Sequence, residues 1–102
     1  MWIFLPASFV SVVQKPGDKD TLTVRARIQG DIESLFPEAL VEADKGSDYK
    51  YRARVSRQAV AQVLHDQVMG LHWSNFKGAV KGHKRHDAYM NVWWAMYAVQ
   101  DR

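Results

Sequence analysis

Polar and apolar residues alternate most cleanly over residues 21–28. Leu22, Val24, Ala26 and Ile28 fall on one side, and Thr21, Thr23, Arg25 and Arg27 on the other. A period of two marks a strand buried on one face. The alternation returns over 49–55, with Tyr49, Tyr51, Ala53 and Val55 inward and Lys50, Arg52 and Arg54 outward. The two stretches carry one repeated pattern, Val24-Arg25-Ala26-Arg27-Ile28 and Tyr51-Arg52-Ala53-Arg54-Val55, 27 positions apart. A small alanine at the centre of each lets a helix pack close. Residues 2–15, rich in Val and Phe, read as a strand interrupted at Pro6, and 39–44 as a short one. Turn residues gather at Pro16-Gly17-Asp18 and at Lys45-Gly46-Ser47-Asp48.

The period lengthens elsewhere. Asp31 is the expected N-cap of a short helix carrying Ile32, Leu35 and Phe36, stopped by Pro37. Ser56 is the expected N-cap of a longer one. There Val60, Val63, Leu64, Val68 and Leu71 form one stripe, and Gly70 helps to end it. Residues 78–85 are basic and glycine-containing and read as a loop. Asp87 then caps a last helix over 88–100, apolar nearly all round. Tyr89, Val92, Trp93 and Met96 make one stripe, Met90, Trp94 and Tyr97 another, and only Asn91 and Gln100 are clearly polar.

These elements predict an α+β fold. Two ββα units, 1–36 and 39–71, supply a four-stranded, mainly antiparallel sheet with helices on one face. Residues 73–102 add a loop and an aromatic-rich C-terminal helix. The 102 residues suit a single domain. The chain has no cysteine, so disulfides, thiolate catalysis and cysteine-ligated metals are excluded. No apolar run approaches the roughly 18 residues of a membrane span. The opening residues lack the basic start of a signal peptide, which predicts a cytoplasmic protein with no membrane association.

Met1-Trp2-Ile3-Phe4, Ser11-Val12-Val13, the Val-Arg-Ala-Arg segment, Asn75-Phe76-Lys77 and His86-Asp87-Ala88-Tyr89-Met90 before Trp93 and Trp94 are suggestive together. They resemble a widespread set of small bacterial and phage proteins without an assigned function. The resemblance covers most of the chain. It implies a bacterial or mobile-element origin and carries no catalytic residue across.

Net charge is +3. Arg25, Arg27, Arg52 and Arg54 would share one face of a sheet and could hold an anion, either phosphate or an acidic protein. The segment from Lys77 to His86 is the densest positive run, with Lys81, Lys84 and Arg85 as its anion-binding candidates. Nucleic-acid binders interleave aromatics with such charges, whereas the alternation turns Tyr49 and Tyr51 inward. That ranks a protein partner ahead of nucleic acid. Met90, Trp94 and Tyr97 are the interface candidates, because Trp, Tyr and Met concentrate binding energy, and a homodimer is the simplest version. His83, His86 and Asp87 sit among cations and no cysteine is present to join them, so no metal or other cofactor is expected. No catalytic motif is present: there is no Gly-x-Ser-x-Gly, no His-Glu-x-x-His and no dinucleotide fingerprint. The expected function is a non-enzymatic protein-binding module. Given the phage resemblance, an inhibitor of a host defence complex, of the anti-CRISPR kind, is one form it could take. Nucleic-acid binding is the alternative, and a small enzyme with an unrecognised site comes last.

Overall fold

Pro6 does not interrupt one strand. With Ala7 it forms a turn that folds 2–15 into a hairpin of β1 (Trp2–Leu5) and β2 (Ser8–Val13), paired antiparallel with Trp2 opposite Ser11. A turn suits proline, which offers no N–H to a ladder and has its φ preset. The sheet therefore has five strands, not four. The first unit is βββα rather than ββα.

The structure, a computed structural model, describes residues 1–43 and 48–100. It divides the chain into two compact units, Met1–Leu71 and the segment from His72 onward. In the first, β3 (Thr21–Ala26), α1 (Asp31–Leu35), β4 (Glu42–Ala43), β5 (Tyr51–Ser56) and α2 (Arg57–Met69) follow the hairpin. The antiparallel sheet runs β1-β2-β3-β5-β4. The two copies of the repeat lie side by side, with Arg25 opposite Arg52 and Val24 opposite Ala53. The strand expected over 39–44 shortens to the two residues of β4. Asp44 and the turn residues Lys45, Gly46 and Ser47 lie outside the described residues.

One face of the sheet holds the core. Val10, Val12, Val24, Ala26, Ala53 and Val55 pack with Ile32 and Phe36 around α1 and Val60 of α2. Both helices of this unit lie on that face, as the alternation required. Ile28, expected to continue the inward row, falls beyond β3 and is exposed.

The helix ends divide between expectation and correction. Ser56 caps α2, its Oγ accepting the N–H of Ala59 at 3.0 Å, and Gly70 closes the helix. Asp31 is not the N-cap of α1. Gly30 is, at φ 96°, and Asp31 turns its carboxylate to accept the N–H of Phe9 at 3.0 Å. The second unit holds α3 (Phe76–Ala79) and α4 (His83–Val99). The last helix thus starts at His83, not after Asp87. Gly82, at φ 85°, turns the chain into the helix, and Lys84 and Arg85 are good helix formers that the loop reading undervalued.

Candidate functional site

Residues directly opposite in a ladder share a face. The register therefore makes a transverse row, Trp2–Ser11–Arg25–Arg52–Glu42, across all five strands on the side away from the core. Phe4 and Phe9 form the neighbouring pair beside it, with ring centroids 4.6 Å apart. Thr23 and Arg54 lie opposite each other on the other flank. Neither helix of this unit covers this side. Trp2 is 70% exposed, and Phe4 and Phe9 are half-buried.

The arginines are held rather than loose. Arg25 donates from Nη2 to Ser11 Oγ at 2.9 Å, and Ser11 is fully buried beneath it. Arg25 and Arg27 both set their guanidinium groups over the ring of Tyr49, at 4.5 and 4.1 Å from its centroid. Tyr49, 5% exposed, is buried against the arginines and not among the inward residues assigned to it by alternation. It lies two residues ahead of β5, where the two-residue period no longer applies. Arg27 donates to the Asp48 carbonyl at 3.0 Å and faces its carboxylate at 3.6 Å.

Asp18 organises the far flank, and sequence gave it only a turn. Its buried carboxylate accepts the Lys15 N–H at 2.9 Å, the Thr23 hydroxyl at 2.9 Å, the Thr21 hydroxyl at 3.2 Å and Arg54 Nε at 3.0 Å. The Lys15 N–H, followed by the Thr23 and Thr21 hydroxyls and Arg54, holds its pKa down at about 2, against the opposing pull of burial. Of the four predicted arginines, Arg27 and Arg54 are thus paired with carboxylates. The available signal for Asp18 was its place after Pro16-Gly17, where an Asp side chain commonly bonds its own turn.

Lys81, Lys84 and Arg85 belong to the second unit. Lys81 and Lys84 are exposed, and Arg85 reaches the Tyr89 hydroxyl at 3.4 Å. His83 and His86 face Asp87 at 3.6 and 3.7 Å. Among the described residues no group of three metal-ligating side chains occurs, and no helix is long and apolar enough to cross a membrane. The two stripes of α4 merge into one aromatic cluster. Tyr97 stacks on Trp93 at 5.2 Å and meets Trp94 edge-on at 5.9 Å, while Phe76 stacks on Tyr89 at 5.8 Å. Trp94 is 58% exposed, with Met90 and Tyr97 half-buried. Val92, Trp93, Met96 and Val99 are also exposed.

Comparison with known proteins finds no family model that matches the chain, no matching curated protein and no matching solved structure. The functional reading therefore rests on this geometry alone.

Proposed function

We propose that the protein is a non-enzymatic binder of single-stranded nucleic acid, with the uncovered sheet face as its platform. The observation that carries this is the shared side of Trp2, Phe4, Phe9, Arg25, Arg52 and Arg54, with Arg27 beside Arg25 over the Tyr49 ring. Strands lie about 4.8 Å apart, so Trp2 on β1 and Arg25 on β3 are roughly 10 Å apart across the face. A base stacked on Trp2 or against the Phe4–Phe9 pair would leave its backbone running towards Arg25 and Arg52. This interleaving of rings and cations is what single-strand binders use, each stacked base contributing about 1–3 kcal/mol. It also reverses the ranking drawn from alternation, which had the aromatics turned away from the charges.

Fluorescence anisotropy of a labelled twelve-nucleotide oligothymidylate tests the reading. Two or three phosphate contacts give a log–log salt slope of about −1.5 to −2 for a single strand. Trp2→Ala should weaken binding by about 1–3 kcal/mol, and Arg25→Gln should flatten the slope. Absence of binding at 50 mM salt, or binding indifferent to both substitutions, overturns it.

A second reading is favoured by α4. Val92, Trp93, Trp94, Met96 and Val99 expose apolar surface on one helix, the usual mark of a protein interface. The partner would be a protein or a second copy of the chain, and a host-defence inhibitor would be one case. Light scattering that shows a dimer weakened by Trp94→Ala more than by Trp73→Ala supports the self-association form. A monomer at high concentration removes it.

A further inference from the structure

The hydrogen-bond alternation of the sheet leaves one strand edge unfinished. Arg57 donates its N–H to the Asp20 carbonyl at 2.7 Å, one step beyond the last β3–β5 pair, Thr21↔Ser56. In an antiparallel ladder, pairs that exchange both bonds alternate with pairs that do not. Leu22↔Val55, Val24↔Ala53 and Ala26↔Tyr51 are then the exchanging pairs. Arg52 and Arg54 turn their backbone N–H and C=O away from β3, and Ser56 its N–H, while the Ser56 C=O takes the first bond of α2. Arg52 meets Glu42 on that side. The next position in the same register sets Leu40 opposite Arg54, but β4 ends at Glu42 and Leu40 is 87% exposed. The ladder forks before reaching Arg54.

The fork opens into two concavities that meet at Arg54, Glu38 and Ala39. One, of about 730 Å³, extends to Lys15, Thr23 and Arg52 on the arginine side. The other, of about 560 Å³, is bounded by Leu35 and Phe36 at the end of α1 and by Ala59 and Val63 of α2. The first is no strong anion site, because the Arg54 guanidinium is engaged by Asp18 at 2.9 Å and Glu38 and Glu42 also line it. The second is mainly apolar.

We infer that the outer edge of β5 is a strand-addition site for an extended segment of a partner protein. The occupant follows from what the edge lacks. Only a peptide backbone in extended form supplies an acceptor and a donor at the spacing Arg54 and Ser56 present. Side chains of such a segment alternate between faces. One set enters the apolar concavity beside Phe36, Ala59 and Val63, and so is apolar. The other set lies over Thr23 and the Arg54–Asp18 pair, and so is small and polar. This goes beyond the nucleic-acid reading and centres on the sheet edge, overlapping the proposed platform only at Thr23 and Arg54.

Amide hydrogen exchange of the whole chain, followed by NMR, tests it. The probe is a peptide alternating threonine and valine over six residues, flanked by lysines. In the free protein the Arg54 amide should exchange at least about tenfold faster than those of Ala53 and Val55, which are bonded to β3. Millimolar peptide should slow Arg54 about tenfold and leave Ala53 unchanged. The same peptide N-methylated at alternate residues should do nothing, and Val63→Arg should weaken the effect. An Arg54 amide as protected as Ala53 in the free protein overturns the proposal, as does exchange indifferent to peptide. Oligothymidylate binding, read separately, stands or falls independently of either result.

Discussion

Tyr49 is the test of whether the arginine face is built by stacking or by hydrogen bonds alone. Replacing Tyr49 by leucine keeps an apolar group in a site only 5% exposed, but removes the ring beneath two guanidinium groups. Arg25 is half-buried and lies 4.5 Å from the centroid, so its cation–π term sits towards the upper range, about 1–2 kcal/mol. Arg27 is closer, at 4.1 Å, but its side chain is 51% exposed, which limits it to about 0.5–1 kcal/mol. The expected loss is about 1.5–3 kcal/mol, before any cost of the smaller side chain. In a unit of this size each kcal/mol lowers Tm by roughly 4–8 °C. Thermal unfolding by far-UV circular dichroism reads the total. Tyr49→Phe separates the hydroxyl from the ring and should retain most of the stability. A double-mutant cycle of Tyr49→Leu with Arg25→Met then isolates the pair. A coupling below about 0.3 kcal/mol, within ordinary additivity error, would refute stacking as the organising contact.

Acid should act through Asp18. Its pKa is depressed to about 2 in the folded chain, against 3.8 ordinarily, so the stability it contributes is present above about pH 4 and lost as pH falls towards 2. Asp18→Asn should flatten the stability–pH curve in that window, as measured by urea unfolding at fixed pH. Ser56→Ala removes the acceptor for Ala59 N–H and should cost about 1 kcal/mol, with Ser56→Asp restoring it. Ile32, 1% exposed between α1 and the sheet, should cost about 2–5 kcal/mol as alanine, far more than Leu40→Ala at an exposed site.

The buried side of the sheet was legible because β3 and β5 keep a strict period of two over six residues each. Val24, Ala26, Ala53 and Val55 fell where that period placed them. The other side was not legible, for three physical reasons. Pro6-Ala7 lacks the Asn-Gly or Asp-Gly signature of a tight hairpin, so the phases of Trp2, Phe4 and Phe9 relative to Arg25 could not be set. Tyr49 precedes the ladder, and alternation extrapolated past a strand end carries no force. Asp18 meets Arg54 across 36 residues, a contact that depends on β3 and β5 being neighbours. In the second unit, the 3.6-residue spacing found α4, but its basic first turn opposes the helix dipole and hid its start.

The strand order has a consequence in time. β1, β2 and β3 are joined by short connections and pair in sequence, so they close with little loop entropy. β5 must come back to β3 past α1 and β4, which makes its docking the step with the highest contact order in the sheet. Until then the edge of β3 is bare, a template for pairing with a second unfinished chain. Arg25 on that edge strand and Arg27 just past its end are charges of like sign, and two such edges repel. The same residues that stack on Tyr49 in the finished protein thus act earlier as gatekeepers against aggregation.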